Sequence, residues 1–245
     1  MIFFKPNVCF KLKTLDETVE DLISRVEFSN NLYEVSKLKE CINEVSLTFD
    51  DVKKELKNDY NLTFLKCQKQ LVSIEKYWNS IKDEFLLALS NVLNVDLIGE
   101  VQTYCLIDCL PFPNIDLNRR RLSLSVSESL DDNIRFALGL IVKYFILKKF
   151  TDNKAEEIVC NYDKDSVYWI MADLVADSIF FYSDLNKFTS DTAFKYYYGL
   201  KIEDINVIEY IRNAYLKMGV LDFMGFVFGF VKNNIDTFTK FTNRY

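Results

Sequence analysis

The 245-residue sequence contains no histidine, and it has only six glycines and three prolines. The absence of histidine excludes histidine proton shuttles, serine–histidine triads and histidine metal ligands. The scarcity of glycine and proline disfavours folds that need many tight turns, such as β-sandwiches, propellers and glycine-loop nucleotide-binding folds. Aromatic residues, in contrast, are abundant, with 21 Phe, 14 Tyr and 2 Trp. This composition indicates a mainly helical globular protein and leaves its function open.

The charge balance offers no basic surface for nucleic acid. The chain has 30 Lys and Arg against 36 Asp and Glu, a net charge of −6. Because phosphate neutralisation supplies most nucleic-acid affinity, such a chain is not expected to bind DNA or RNA. The basic run at residues 119–121 is interpreted as a solvated loop rather than an anion site.

Six cysteines are scattered along the chain. The first apolar residues are interrupted by Lys5 and Pro6, so no signal peptide is expected, and we predict reduced thiols and a cytoplasmic location. Cys105 and Cys109 are expected about 13 Å apart on one face of a strand, too far apart for a disulfide. Two thiols with no further cysteine or histidine nearby also do not make a zinc site.

The most apolar stretch, at residues 223–231, is far shorter than the roughly 20 residues needed to span a bilayer. Within it, Gly225 and Gly229 form a GxxxG pattern, which outside a full span indicates close helix packing. The sequence therefore predicts a buried C-terminal helix and no membrane span.

Apolar residues recur with helical spacing over most of the chain. Helices are predicted at residues 15–26, 32–47, 71–92, 130–150, 165–182, 203–217 and 220–241. Acidic pairs at residues 50–51, 156–157 and 203–204 are interpreted as helix starts, where carboxylates favour the helix dipole, rather than as metal sites. The tyrosines at 196–198 indicate a helix end, with an aromatic binding patch as the alternative.

The region between residues 96 and 126 has a different character. β-branched and aromatic residues predict strands at 101–107 and 122–126, separated by a proline break at 111–113. Residues 2–12 are expected to complete this sheet, which is expected to be the only one. The predicted fold class is therefore mainly α (α+β), with a small sheet packed on buried helices. The predicted organisation is an N-terminal helical region at 1–95 and a core with C-terminal helices at 96–245.

Two predicted helices carry charge in apolar surroundings. Residues 136–147 are apolar on every side except at Lys143, and Gly139 lies one turn earlier on the same face. A helix that is apolar all round is buried, so Lys143 must reach an edge or pair with an acid. Residues 167–181 are also apolar, and their only charges, Asp173 and Asp177, share one face.

The order of strand, proline-rich turn, alternating strand and apolar helix resembles the core of zincin-type metallopeptidases over residues 101–182. Those families carry HExxH on the helix, and the gluzincin branch adds an acidic zinc ligand on a later helix. In this sequence Gly139 stands in the place of the first histidine, Leu140 of the glutamate and Lys143 of the second histidine. Asp173 stands in the place of the later acidic ligand.

The departures from the zincin motif imply a site that neither binds zinc nor catalyses peptide hydrolysis. Zincin catalysis needs two imidazoles and an acid to hold Zn²⁺, and a glutamate as general base. The resemblance therefore implies no metal, no cofactor and no catalytic residue. The ammonium of Lys143 is predicted to replace the metal cation by pairing with Asp173 or Asp177, the alternative being that all three side chains lie at a wet groove edge.

The predicted function is that of a non-catalytic metallopeptidase-like protein, a pseudoenzyme that binds a protein or peptide partner. One alternative is a helical scaffold or assembly protein without peptidase ancestry, which would expose an apolar patch elsewhere, for example at residues 15–45. A more distant alternative is a hydrolase with a reactive thiol at Cys105 or Cys109 or with catalytic carboxylates. The predicted relic-site positions are Gly139, Leu140, Lys143, Asp173 and Asp177.

Overall fold

A computed structural model describes residues 8–28, 32–43, 46–94, 103–108, 110, 113–127, 129–152, 166–189 and 197–242. Over these residues the protein is mainly α with a small β component, as predicted. The helices are α1 (Leu15–Phe28), α2 (Leu32–Glu40), α3 (Phe49–Leu93), α4 (Leu130–Asp152), α5 (Val167–Tyr182), α6 (Val207–Tyr215), α7 (Val220–Asn233) and α8 (Ile235–Thr242), with a 3₁₀ turn at Asp184–Phe188. The strands are β1 (Val8–Leu12), β2 (Thr103–Asp108), β3 (Asn114–Asp116), β4 (Arg121–Ser125), β5 (Lys201–Ile202) and β6 (Ile205–Asn206).

The larger sheet has the strand order β1-β2-β4-β3. β2 is parallel to β1 and to β4, whereas β3 is antiparallel to β4. The expected contribution of the N-terminal segment is confirmed in β1, whose Phe10 pairs with Cys105, which in turn pairs with Leu122. All three of these side chains are buried, so the register places one apolar row across the sheet. β3 follows the proline break and was not predicted; of that break, only Pro113 lies among the described residues.

The expectation of a single sheet was wrong, because β5 and β6 form a second, two-stranded antiparallel sheet. Its turn residues, Glu203 and Asp204, have φ of 48° and 65°. A two-residue hairpin turn of type I′ requires positive φ at both central positions, which aspartate tolerates and glutamate adopts less readily. This pair is therefore a turn and not the predicted helix start. α6 begins after it, with the Asn206 side chain accepting a hydrogen bond from the Glu209 backbone N–H.

α3 is much longer than the predicted helix at 71–92, with 45 residues. Its start is capped by Thr48, whose Oγ1 accepts from the Asp51 backbone N–H and donates to the Asp51 carboxylate. This confirms the interpretation of residues 50–51 as a helix start. The predicted helix at 220–241 is instead two helices, α7 and α8, separated at Asn234.

Contacts divide the chain into two compact units. One contains Met1–Lys5, Ile81–Gly99 and Ile141–Tyr245, and the other contains Pro6–Ser80 and Glu100–Leu140. α3 and α4 each contribute residues to both units. A division by contacts does not test the predicted boundary between residues 95 and 96, which stays a prediction.

The second unit contains the four-stranded sheet and a core built from α1, α2 and the start of α3. Its buried members include Val19, Leu22, Leu38, Ile42 and Val52. Where the structure describes the stripe of residues 15–45, its apolar side chains pack into or against this core and do not form the exposed patch that the scaffold alternative suggested there.

α7 is buried along one face, through Phe223, Met224, Val227 and Val231. The predicted close packing at its GxxxG pattern was wrong. Gly225 is exposed, and a Cβ added at Gly225 or Gly229 would meet nothing within 4 Å. Among the helices of the described segments, none is both long and apolar enough to cross a membrane.

Candidate functional site

The candidate site lies on α5, in the unit that contains residues 141–245. The helix starts at Ser166, whose Oγ accepts a hydrogen bond from the Trp169 backbone N–H at 3.1 Å. Every residue from Trp169 to Phe180 is buried, as expected of a helix that is apolar on every side. Asp173 and Asp177 are the two charged residues in this buried stretch, and their side chains are only 3% and 2% exposed. Each carboxylate therefore needs a partner inside the protein.

Asp173 finds its partner in Lys143 of α4, as predicted from the sequence. The Lys143 ammonium forms an ion pair with Oδ1 of Asp173, and the lysine side chain is 5% exposed. The same ammonium lies 4.5 Å from the centroid of the Trp169 ring, one turn before Asp173. The ammonium is thus held between a carboxylate and an indole face of the same helix. The alternative of a wet groove edge was wrong, because neither side chain reaches the solvent.

Asp177 pairs with a different cation, Arg212 of α6. Nε of Arg212 donates to Oδ2 of Asp177 at 2.8 Å, and Nη2 donates to Oδ1 at 3.0 Å. This is the bidentate geometry that a planar guanidinium forms with a carboxylate. Sequence reasoning missed Arg212, because α6 is an amphipathic helix on which an arginine is unremarkable.

Burial and pairing act in opposite directions on this second pair. Desolvation raises the pKa of Asp177 above its ordinary value, although the hydrogen bonds and charge of Arg212 limit the rise. The nearby Asp173 carboxylate adds to it. For Arg212, burial lowers the pKa, but the hydrogen bonds and charge of Asp177 outweigh burial and raise it. In this pair, the surroundings therefore disfavour the charged form of Asp177 and favour the charged form of Arg212.

Arg212 also connects the buried carboxylate to an exposed cluster of aromatic rings. Its guanidinium lies 3.8 Å from the ring centroid of Phe181, and its Nη2 donates to the Tyr198 hydroxyl at 2.6 Å. Tyr182 contacts Phe181 edge-on and stacks on Tyr215 with ring centroids 5.9 Å apart. We call these four aromatic residues the aromatic patch. Three of its members, Phe181, Tyr182 and Tyr198, are each about 40% exposed.

The aromatic patch bears on the predicted role of the tyrosines at 196–198. Tyr197 is buried and contacts Phe238, whereas Tyr198 belongs to the exposed patch. Tyr196 lies outside the described residues. Of this tyrosine run, Tyr198 thus belongs to the aromatic patch. The other members of the patch lie on α5 and α6.

The remaining relic-site positions, Gly139 and Leu140, lie on α4 and are buried. Glycine has no donor atom, leucine has no base, and the Lys143 ammonium repels a metal cation. The donor set at these positions therefore does not fit Zn²⁺. In the part of the chain that the structure describes, no group of three or more Cys, Asp or Glu side chains is arranged to hold a metal ion.

The cysteine-hydrolase alternative loses one of its two candidate nucleophiles. Cys105 is completely buried, and burial raises the pKa of its thiol. A protonated, enclosed thiol is not a nucleophile at neutral pH. Cys109 lies outside the described residues. Cys41 and Cys105 are free thiols.

A second carboxylate network, partly buried and missed by sequence reasoning, lies in the other unit around Asp21 of α1. Lys13 donates to Asp21 at 2.7 Å, and Arg25 lies 3.6 Å from the same oxygen. Asn114 of β3 donates to the other carboxylate oxygen at 3.4 Å. Burial raises the pKa of Asp21, but the charges of Lys13 and Arg25 outweigh it and lower the pKa below its ordinary value. This network joins α1 to the sheet.

The basic run at residues 119–121 borders a small cavity of about 30 Å³ beside this network. Arg119 lies 3.8 Å from Asp116, and Arg121 lies 3.4 Å from Glu17. Their charges are thus balanced by carboxylates, which agrees with the prediction that the run is not an anion site. Arg121 is the first residue of β4 rather than part of a loop.

Comparison of the chain with protein-family models, curated proteins and solved structures gave no match. The function of the chain is therefore inferred from its own residues.

Proposed function

We propose that the chain is a non-catalytic protein with a metallopeptidase-like core, and that it acts in the cytoplasm by binding a protein or peptide partner. The observation that carries this proposal is the buried ion pair between Lys143 and Asp173. In the zincin resemblance, Lys143 stands where a histidine ligand would be and Asp173 where the acidic ligand would be. An ammonium then occupies the position of the metal cation.

A buried ion pair of this kind is better explained by ancestry than by stability. Replacing such a pair with apolar residues of similar volume is often neutral or stabilising, whereas removal of one partner is strongly destabilising. A pair that arises in place of a metal site is therefore difficult to lose one residue at a time. The order β2, β3, β4 and α4 also follows the order of elements on which the resemblance depends.

The aromatic patch supports the partner-binding part of the proposal. Tyrosine, phenylalanine and arginine are enriched in the centres of protein interfaces, where rigid aromatic side chains contribute most of the affinity. Arg212 is immobilised by the buried Asp177, so the patch is ordered before a partner arrives. Pre-organisation of this kind lowers the entropy lost on binding. The free thiols of Cys41 and Cys105 agree with a reducing cytoplasm.

Partial restoration of the zincin motif tests the ancestry. In the double variant Gly139→His/Lys143→His, two imidazoles lie one turn apart on α4, and Asp173 contacts the second position. Isothermal titration with Zn²⁺ should show one bound equivalent, at least about tenfold tighter than in a matched control. The control, Leu138→His/Val142→His, has the same spacing on a different face of the helix.

Circular dichroism decides whether both histidine variants are folded. A folded Gly139→His/Lys143→His protein that binds Zn²⁺ no better than the control contradicts the zincin interpretation. In that case the helical scaffold remains as the alternative function.

A displayed random-peptide library tests the binding surface. Sequences enriched on the wild-type protein should be lost on Phe181→Ser/Tyr182→Ser and kept on Leu221→Ser, an exposed position of α7 outside the aromatic patch. Enrichment that is unchanged by the patch substitutions would remove the aromatic patch from the proposal.

A further inference from the structure

The side of α7 that faces away from the core is largely exposed. Val227 is completely buried on the inward side. Gly225 and Gly229 each lie two residues from Val227, which is about 200° around the helix, so both are on the outward side. Gly225 is exposed, and a Cβ added at either glycine would meet nothing within 4 Å. We call this outward side the α7 face, and its members are Leu221, Asp222, Gly225, Gly229 and Lys232.

The α7 face has large apolar side chains at its start and no side chain at its two glycines. Leu221 is 42% exposed, and Met218, just before the helix, is 40% exposed. Farther along the same side, Gly225 and Gly229 leave the backbone bare. Glycines let helices approach closely, and a large side chain of one helix packs over a small one of the other. The face therefore carries a projection and a recess that fit each other when two such helices run in opposite directions.

The charges around α7 form a pattern that complements its own reverse. From residue 217 to residue 239 the charged residues are Lys217, Asp222, Lys232 and Asp236. All four are exposed, and in the part of the chain that the structure describes none of them forms an ion pair. Asp222 and Lys232 are equally distant along the chain from Val227, as are the two glycines. The centre of the charge pattern is thus also the centre of the glycine pair.

We propose that the α7 face is the contact by which two copies of the chain form a symmetric dimer, with their α7 helices antiparallel and crossing at the glycines. In a two-fold contact, residue i of one copy meets residue j of the other, and j meets i. With the axis at the level of Val227, Asp222 meets Lys232 of the second copy, and this pair occurs twice. Leu221 then lies over Gly229 of the second copy.

Charge complementarity favours a second copy over other occupants. The four charges sum to zero, so the contact itself is neutral although each copy has a net charge of −6. At physiological ionic strength, charges more than about 8 Å away are largely screened. Parallel α7 helices would place Asp222 against Asp222, and an anionic membrane would be repelled by both carboxylates. An unrelated helix would need the reversed charge pattern, which a second copy carries by construction.

Asp222 and Lys232 also suit the ends of α7 at which they lie, because acids are favoured near a helix start and bases near its end. The helix dipole accounts for the two signs, but not for Gly225 and Gly229 in the helix interior, where alanine is more favourable. An exchange of the two charges separates these roles. The exchanged charges oppose the dipole within each chain, yet they still pair across the dimer.

This inference goes beyond the proposed function and shares no residue with the relic site or the aromatic patch. The Zn²⁺ titration and the peptide-library test can therefore fail while the dimer stands, and the reverse is also true.

Sedimentation velocity tests the dimer. At protein concentrations from about 1 to 200 μM in about 0.15 M salt, the wild-type chain should show a monomer–dimer equilibrium. Gly225→Ala/Gly229→Ala should weaken the dimer about tenfold, because the added methyl groups hold the helices apart. At concentrations where the protein is monomeric, the same variant should melt at a temperature at least as high as the wild type. The reason is that alanine favours the helix and each added Cβ has free space.

Charge exchange tests the antiparallel register. Asp222→Lys and Lys232→Asp should each weaken the dimer about tenfold, since each places like charges together. Asp222→Lys/Lys232→Asp should restore the dimer to within about threefold of the wild type, and an equimolar mixture of the two single variants should form a heterodimer. Lys57→Asp, an exposed position on α3, is the control and should leave the dimer unchanged. Circular dichroism shows whether each variant is folded.

Three results would overturn the proposal. In the first, the wild-type protein is a monomer throughout the concentration range, which reassigns the α7 face to a different protein or to a membrane. In the second, a dimer forms but is equally strong in the glycine and charge variants, which places the contact elsewhere. In the third, each single charge variant weakens the dimer, and neither the double variant nor the mixture restores it. The two charges then act only through the helix dipole of their own chain.

Discussion

The two carboxylates of α5 lie one turn apart on the same apolar helix, yet they occupy different environments. Asp173 is enclosed with Lys143, and the pair ends at the face of Trp169. Asp177 is just as buried, but its partner Arg212 extends from the interior to the aromatic patch. The first pair lies in the interior, whereas the second connects the core to a surface.

The chemistry of the two cations explains this difference. An ammonium is a compact point charge, so a single carboxylate and one ring can satisfy it. A guanidinium is a planar fork, which binds both oxygens of Asp177 and still offers one face to Phe181 and one N–H to Tyr198. The buried Asp177 can therefore hold Arg212 in a fixed position, and Arg212 in turn contacts the exposed rings of Phe181 and Tyr198.

The largest predicted effect comes from opening the enclosed pair. Lys143→Met leaves the Asp173 carboxylate without its cation in the interior, and it should lower the free energy of unfolding by about 3–5 kcal/mol. Lys143→Met/Asp173→Asn should recover much of the loss, since no unpaired carboxylate then remains at position 173 in the interior. Urea unfolding at pH 7 measures both changes. A single variant as stable as the wild type, or a double variant without recovery, would show that the pairing has no energetic role.

Opening the second pair should have a smaller effect. Arg212→Met should lower the free energy of unfolding by about 2 kcal/mol, because the two hydrogen bonds to Asp177 and the one to Tyr198 are lost. Unlike Asp173, Asp177 has its cation beside the surface, where water can partly replace it. Arg212→Lys keeps the charge but not the fork, and it should lie between the wild type and Arg212→Met. If Arg212→Met and Lys143→Met lower the free energy of unfolding equally, the two ion pairs do not differ in their contribution to stability.

The indole face should make a modest contribution to the enclosed pair. Trp169→Phe replaces the better cation–π ring by a weaker one and should cost about 1 kcal/mol beyond the loss of packing. A double-mutant cycle separates the two contributions, because the part due to the ammonium should vanish in the Lys143→Met background. If the cost of Trp169→Phe is the same in both backgrounds, the ring and the ammonium are not coupled.

The smallest effects are those of pH, and they should have opposite signs at Asp177 and Asp21. The pKa of Asp177 is raised in the folded protein, so its contribution to stability is present below its ordinary pKa of 3.8 and is lost as pH rises through the folded value. The pKa of Asp21 is lowered, so its contribution is present above 3.8 and is lost as pH falls through the folded value.

Urea unfolding at several pH values from the acid range to pH 6 tests these signs. From acid to pH 6, the stability difference between wild type and Asp177→Asn should shift against the wild type. The difference between wild type and Asp21→Asn should shift in its favour. If the stability difference from the wild type changes with pH in the same direction for both variants, the pKa values of the two carboxylates are not shifted in opposite directions.

Most helices could be predicted from the sequence because their apolar spacing is strong, as in α1 and α4. α3 was predicted only in part, because residues 49–70 carry many polar side chains and bury few apolar ones, such as Val52 and Leu56. The hairpin of β5 and β6 was missed because its strands have two residues each. Its acidic turn was mistaken for a helix start, since Asp and Glu are both favoured at helix starts and Asp is also common in turns.

The sequence by itself determined that the apolar parts of α4 and α5 are buried and that Lys143 must either reach an edge or pair with an acid, because an unpaired charge is costly in an apolar interior. Only the tertiary structure decided which aspartate takes Lys143. It also revealed Arg212, whose helix has a polar face on which one more cation carries no signal. The choice between Asp173 and Asp177 depends on how α4, α5 and α6 approach one another, and side-chain spacing along a single helix does not contain that information.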